Sequence, residues 1–590
     1  MKKLITILFA GLLTLASYGQ SGVAHFTGIQ LGTAPVAYNL VSTNSYVIDK
    51  VGSTYYARPG IGTGLTAYSN AVFATALNAA IAQLQGGGVI YIRPGTYTVV
   101  APITITTLSN IKLQGAGNDL TVFTSAGNGT VYSILKIIGT CSNIEISGIK
   151  FISTVNDATV IDQNSLLEAD DVGPVALIIN GLDIHNCTFT GATVNTSAIY
   201  LGAEFATTSR LNRIKIHDNY IYNIGQCGIG VINHASQTTS IINSLEISRN
   251  DINTPGLSGT WGMGITVSGF NTNTTIQYNN ISESKKDQSI ELRCCVNGDI
   301  SFNKISNYAG HTSDATLTAG ISIADDAAHV QKSIHIAIIG NIINIVDADF
   351  ATSTATATVG LSTIGCEDVN ISSNSIKSGM NTFSGTKITF TGNTVVTTNY
   401  YCLVLNTGCT YFKAMSNIFD ASTTVNGDWA AIPVLFQGDA NNNEITSSVA
   451  IGNIDHYYSY GGTATNNILE LDALPATGTS ASANPYRLLP GNNLHSVGSS
   501  NANYYLTLPP ACDALTGKTI KGSVGANGFE LRVAAAQATT VYINGITTNV
   551  EAAIPANSSF EVTCIDATHW ILKAWTALGA EITAIIPDAV

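Results

Sequence analysis

The chain has 590 residues, a net charge of −13 and only 11% charged residues, against roughly 25% in ordinary globular proteins. An apolar share of 45% excludes intrinsic disorder, and a pI near 5.1 excludes the cationic surface that phosphate neutralisation requires, so no nucleic-acid partner is expected. Thr, Val, Ile, Asn and 55 Gly residues crowd out helix formers, which predicts an all-β protein coated with uncharged hydroxyls and amides.

Residues 1–19 read as a signal peptide. Met1-Lys2-Lys3 is a short basic start, and the apolar run Leu4–Ala16 is too short to span a bilayer comfortably. Ser17 and Gly19 sit at cleavage spacing before Gln20, with an uncleaved hydrophobic segment as the alternative. A secreted or extracellular location, without a stable transmembrane span, is the expectation. Residues 20–85 form a head that ends in a helix. Ala74, Leu77, Ala80, Ile81 and Leu84 recur at helical spacing and give it one apolar stripe.

Residues 86–471 carry a repeat. The segments IKIHDNYI (Ile214–Ile221), LEISRNDI (Leu245–Ile252), TTIQYNNI (Thr274–Ile281), DISFNKI (Asp299–Ile305), IAIIGNII (Ile336–Ile343), VNISSNSI (Val369–Ile376), KITFTGNTV (Lys387–Val395) and YFKAMSNIF (Tyr411–Phe419) share one pattern. Apolar and polar residues alternate, and an Asn precedes the next apolar residue. The Asn positions are 219, 250, 279, 303, 341, 374, 393 and 417, with Asn453 expected to follow. Earlier repeats place Ile149 and Cys187 at the Asn position. Alternation predicts strands with one inward face. Asn and Gly suit the left-handed turn between strands, and stacked Asn amides bond along the axis. One coil cannot bury its apolar face alone, so coils stack at about 4.8 Å. The fold class is a right-handed parallel β-helix solenoid with an N-terminal capping helix.

A family resemblance supports that architecture. Asp49–Arg58, Gly62-Thr63-Gly64, the Ala-rich Ala71–Leu84 and GGGVIYIRPGTYTV (Gly86–Val99) resemble the opening of pectate-lyase-like β-helix proteins, phage tail spikes in particular. The resemblance spans roughly residues 45–470. It implies a homotrimeric spike that engages extracellular polysaccharide, displayed on a virion or cell surface. The fold hosts lyases, hydrolases and non-catalytic binders, so it leaves the chemistry open.

Residues 472–503 read as a linker, because Leu474–Arg487 is rich in Ala, Ser, Thr and Pro. Residues 504–575 show short strands between turns and predict a small β-sandwich or barrel, followed by a tail at 576–590. This module resembles the small C-terminal domains of phage tail fibres. Trp570 and Tyr542 are either a sugar platform or core residues. Among ten cysteines, Cys402 with Cys409 and Cys512 with Cys564 are spaced for bridges. Adjacent Cys294 and Cys295 predict that at most one faces the core.

Chemistry is expected on the strand that follows each Asn turn. Aligning these strands points Ile199, Ile229, Ile265, Ile290, Ile321 and Leu361 inward. One outward column then reads Tyr200, Gly230, Thr266, Glu291, Ser322, and a second Gly202, Ile232, Ser268, Arg293, Ala324. A third reads Glu204, His234, Phe270, Cys295, Asp326. Small residues predict a trough. A lyase needs a base and a cation beside a uronate, for which Arg293 or His234 qualifies. A hydrolase needs two carboxylates about 5–9 Å apart, for which Glu291 and Asp326 qualify. Glu291 with Arg293 also reads as a plain surface ion pair. Tyr200, Glu204, Trp261, Phe270 and Tyr308 are the expected sugar contacts. No cofactor is indicated, and Asp170-Asp171 and Asp325-Asp326 are loop carboxylates without a calcium cluster around them. His185 and His217 align in adjacent coils of another sheet, where a surface stack is the simpler reading than a two-ligand metal site.

Overall fold

A computed structural model describes residues 45–583 except 61–62, 126–132, 154–163, 172–175, 193–195, 203–207, 233–241, 258–261, 285–287, 307–318, 326–330, 346–358, 379, 398–400, 421–431, 438, 452–457, 462–467, 474–477, 480–485, 488–493, 499–504, 509–510, 512–514, 525–527, 534–539 and 545–550. The chain opens with strand β1 (Tyr46–Val51) and its antiparallel partner β2 (Thr54–Pro59). Helix α1 (Phe73–Gln83) follows and buries Phe73, Ala74, Ala76, Leu77, Ala80 and Ile81. Phe73 packs on Tyr55, Tyr97 and Phe123, closing the apolar core at this end. The helix therefore performs the capping that its apolar stripe predicts.

Beyond the cap, three strands recur per coil, each hydrogen-bonded in parallel to the same strand of the next coil. Sheet A stacks Ser109–Gly115, Thr140–Ser147, Ile178–His185, Arg210–His217 and onward. Sheet B stacks Thr121–Ser125, Lys150–Ile152, Thr188–Ala192 and Tyr220–Ile224. Sheet C stacks Leu135–Ile138, Asn164–Ala169, Thr196–Gly202 and Ile229–Ile232. Inward rows keep one chemistry from coil to coil. Leu113, Ile146, Ile184, Ile216 and Ile247 form one row of sheet A. Phe123, Phe151 and Phe189 form one of sheet B, with the last two rings stacked 4.9 Å apart.

The sharp turn from sheet A to sheet B is where the repeat is strictest. Nδ2 of Asn219, Asn250, Asn279, Asn303, Asn341, Asn374 and Asn393 each donates to Oδ1 of the next Asn at 2.9–3.1 Å. Each Asn backbone N–H donates to that same oxygen, as for Asn250 to Asn279 at 3.0 Å. Asn417 passes the ladder to Ser448; Asn453 lies outside the described residues. One expectation is corrected here. The left-handed residue is the one before each ladder Asn: Asp218, Arg249, Tyr278, Phe302, Gly340, Ser373, Gly392 and Ser416 all have φ near +55 to +66°. Asn is needed for its amide, which satisfies turn groups that would otherwise be buried without partners.

Two cysteine expectations fail. Cys402 and Cys409 are both buried thiols without a bridge between them; Cys512 is outside the described residues. They fill core space as small apolar side chains, and burial pushes the Cys409 thiol up to about 12. Cys294 and Cys295 are both fully buried. Strand alternation breaks between them because Cys294 occupies a left-handed corner (φ 52°) where sheet C turns into sheet A.

The C-terminal strands form a six-stranded and a four-stranded sheet. Three short strands inside the stretch read as a linker, Gly478–Thr479, Tyr486–Arg487 and Leu494–Gly498, pair in parallel with their successors. Antiparallel pairing starts only with Ser558–Asp566 and Glu551–Ile554. Trp570 is fully buried, so the core alternative holds for it and no sugar platform forms there. No helix among the described residues is long and apolar enough to cross a membrane.

Candidate functional site

The segments that change length from coil to coil lie on both sides of sheet C. The connection from sheet B to sheet C ranges from residue 379 alone to 345–358, and that from sheet C to sheet A from a single residue, Gly139 or Cys294, to the nine residues 233–241. The turn between sheets A and B stays at two residues from Gly148-Ile149 to Ser416-Asn417. Sheet C is therefore the wall that insertions frame, and such framed walls are where binding groups collect on a rigid scaffold.

Its register is the one the sequence alignment predicts. Ile199, Ile229, Ile265, Ile290, Ile321 and Leu361 form one buried row. The opposite-facing row runs Lys136, Glu168, Tyr200, Gly230, Thr266, Glu291, Ser322, Ser362, Thr382. The trough is not open. Glu168, Tyr200, Thr266, Glu291, Ser322 and Ser362 are all buried. The side chains themselves supply part of the cover. A methyl group on Gly202 would meet Tyr200 Cε1 at 2.5 Å, and one on Gly230 would meet Tyr200 Cδ2 at 3.4 Å. The tyrosine ring thus lies across space that two glycines leave free.

Glu291 and Arg293 come together as the i, i+2 spacing on one strand face allows. Arg293 Nε donates to Glu291 Oε1 at 2.6 Å, and Thr266 Oγ1 from the preceding coil donates to Oε2 at 2.9 Å. The carboxylate side chain is 3% exposed and the guanidinium 34%. This is a fixed, neutralised carboxylate with a cation reaching out above it, and its surface-ion-pair reading is too weak a description of the burial. Tyr200 and Phe270 are buried, so neither ring face is open. Cys295 leaves the third column: it opens a sheet A strand opposite Asn271. Asp326, His234, Glu204, Trp261 and Tyr308 lie outside the described residues.

A second polar cluster lies beside the same row. In Leu166-Leu167-Glu168-Ala169-Asp170-Asp171, Leu167 and Ala169 point inward, Glu168 stands in the outer row, and Asp170 follows directly after the strand's last residue, Ala169. Glu168 Oε1 accepts from Lys136 Nζ at 2.9 Å, and its Oε2 accepts from Ser133 Oγ. Asp171 accepts from Ser209 Oγ at 2.9 Å. Asp170 Oδ1 converges with the Tyr200 ring on Gly202. All three carboxylates are buried. The signal was present in the sequence: three acids within four residues of a chain that is 11% charged, two of them in strand alternation. The adjacent Asp170-Asp171 pair reads as a loop and masks it.

On sheet A the stacked pair is confirmed. The His185 and His217 rings lie 5.0 Å apart and 3° from parallel. Their neighbours are carboxylates: Glu145 at 3.2 Å from His185 Nε2, Asp183 at 2.9 Å from His217 Nε2, and Asp218 at 2.7 Å from His217 Nδ1. Burial raises the Glu145 pKa, but hydrogen bonds from Lys112 and His185 outweigh it and hold the carboxyl below its ordinary range. Among the described residues no group of three or more His, Cys, Asp or Glu is arranged to hold a metal ion.

No family model matches the chain, and no curated protein matches it. Among solved structures it is similar to a variant of the DFA-IIIase of Arthrobacter chlorophenolicus in complex with DFA-III (12% identity, 63% of this chain and 91% of that one, TM-score 0.41). It is also similar to the A-module of a mannuronan C-5 epimerase of Azotobacter vinelandii (12%, 69% and 96%, TM-score 0.38). A third is the catalytic unit of an alpha-1,3-glucanase of Streptomyces thermodiastaticus (15%, 67% and 65%, TM-score 0.37).

Proposed function

We propose that this chain is a carbohydrate-active β-helix protein that binds polysaccharide along sheet C and hydrolyses it there. The observation that carries the reading is the outer row of sheet C. It sets two cation-paired carboxylates, Glu168 and Glu291, about 19 Å apart over four coils, in a run of glycine and hydroxyl side chains. Glu168 and Asp170, two residues apart in the chain and both buried, are the pair this reading assigns as the two carboxyls of glycosidic hydrolysis. In this reading Glu168, with Lys136 beside it, acts as base or nucleophile, and Asp170 acts as the acid. Glu291 and Arg293 hold sugar hydroxyls, or a uronate through the partly exposed guanidinium. The low charge and hydroxyl-rich surface suit a neutral or weakly charged glycan.

A non-catalytic adhesin is the second reading. It is favoured by the ion pairs and hydroxyl contacts that already occupy both Glu168 and Glu291. Secretion or virion display, the signal peptide, a tail-spike role and a homotrimer belong to the same proposal; solution mass of the purified chain tests the trimer. The deciding experiment incubates the protein with neutral and uronate polysaccharides and follows reducing ends and absorbance at 235 nm. Hydrolysis predicts reducing ends without absorbance, reduced at least 100-fold by Glu168→Gln or Asp170→Asn in protein that circular dichroism shows to be folded at the assay temperature. Absorbance at 235 nm would replace hydrolysis by lyase chemistry, and saturable binding without either product would leave the adhesin.

A further inference from the structure

The C-terminal module carries a polar site that the sheet C reading does not use. Ser558–Asp566 and His569–Thr576 pair antiparallel, and their outward side chains Ile565, His569 and Ile571, with Asn544 from the preceding turn, line a surface pocket of about 410 Å³. Ile565 and Ile571 are each 42% exposed and form its apolar walls. The volume lies within the range of small-molecule pockets.

Hydrogen bonding fixes the chemistry of the two polar groups. His569 Nδ1 lies 2.9 and 3.0 Å from the two oxygens of Asp566. Thr568 Oγ1 spends its proton on Asp566 Oδ1 at 2.7 Å, so it meets Nδ1 as an acceptor at 2.8 Å. Nδ1 is surrounded by acceptors and carries a proton, so in the neutral tautomer Nε2 is a bare acceptor. Asn544 is fixed the opposite way. Its Oδ1 accepts the Leu572 backbone N–H at 2.7 Å, which leaves Nδ2 as a donor. Nothing among the described residues bonds to His569 Nε2 or Asn544 Nδ2. A built acceptor and a built donor therefore stand between two aliphatic walls. That is the complement of a ring with neighbouring hydroxyl groups and an apolar C–H face.

We propose that this pocket binds a neutral saccharide unit, with one hydroxyl donating to His569 Nε2 and one oxygen accepting from Asn544 Nδ2. The proposal rests on the reading that the chain engages glycans, and it adds a second, non-hydrolytic site in a different module. Two substitutions remove the ligand-facing atoms while keeping the internal bonds. His569→Asn retains a donor to Asp566, and Asn544→Asp retains the acceptor for Leu572 N–H. Full-length protein is titrated by calorimetry with glucose, galactose, mannose and N-acetylglucosamine, and the His569 ring proton shifts are followed by NMR. At least one sugar is expected to bind saturably and shift the His569 signals. Each substitution is expected to weaken that binding at least tenfold, with reducing-end release at sheet C unchanged. The shift of His569 in unsubstituted protein needs no variant to fold, and its absence at saturation overturns the proposal. So does binding that persists undiminished in both variants, or failure of every sugar to bind protein that still cleaves polysaccharide. Failure of binding and cleavage together would instead overturn the glycan reading itself.

Discussion

Each ladder asparagine serves several backbone and side-chain partners from one amide. Asn279 donates Nδ2 to Ile247 O and Asn303 Oδ1, and its Oδ1 accepts the backbone N–H and the Nδ2 of Asn250. Asn279→Ala deletes all of these at a site 1% exposed. Leaving that many buried groups unsatisfied should cost about 3 kcal/mol in urea unfolding. Arg293→Ala strands a buried carboxylate and should also cost about 3 kcal/mol. The double change Arg293→Met with Glu291→Leu should recover most of it, since an apolar pair leaves no unpaired charge. Equal Tm values for Arg293→Ala and the unsubstituted protein would show that Glu291 is not desolvated as described. Gly202→Ala should destabilise for a steric reason, because its methyl group would enter the Tyr200 ring.

At the scale of elements, alternation and the Asn spacing made the coils legible. The inward row Ile199, Ile229, Ile265, Ile290, Ile321, Leu361 falls in the aligned register because a one-residue slip would expose every isoleucine. Corners were not legible. Cys294 and the residues before the ladder asparagines take left-handed backbone whatever their side chain, Tyr278 and Phe302 included. Tertiary pairing of the coils overrides local preference there. The column that crossed such a corner, Phe270 to Cys295, was misplaced by one residue for that reason. Glu168 and Asp170 escaped because a pair of aspartates looks like a turn when coil stacking is not in view. Sheet A supplies a pH test. Asp218 is held below its usual carboxyl range chiefly by Arg249, whose hydrogen bond outweighs burial, with His217 adding to it. Glu145 is also depressed. A depressed carboxyl contributes stability above its unfolded pKa and loses it as pH falls through the folded value. Acidification from pH 6 to pH 3 should therefore lower stability, and Arg249→Met should flatten the acid limb of a Tm–pH profile by less than about 1 kcal/mol, as befits a partly exposed pair. An unchanged acid limb would remove Asp218 from this account.

The described residues form a long parallel stack with a helical cap and a tail module that mixes parallel and antiparallel pairing. The sheets of the stack differ in role. Sheet A carries the ion and imidazole ladder, and the turn into sheet B carries the asparagine ladder. Sheet C, framed by the connections of variable length, carries buried carboxylates in a row of small hydroxyl residues. The most direct measurement is hydrogen–deuterium exchange of the Glu168→Gln variant, with and without the polysaccharide it binds. The account predicts added protection in Asn164–Ala169, Thr196–Gly202, Ile265–Ser268 and Ile290–Arg293, with sheet A unchanged. Protection confined to sheet A, or to the cap, would contradict it.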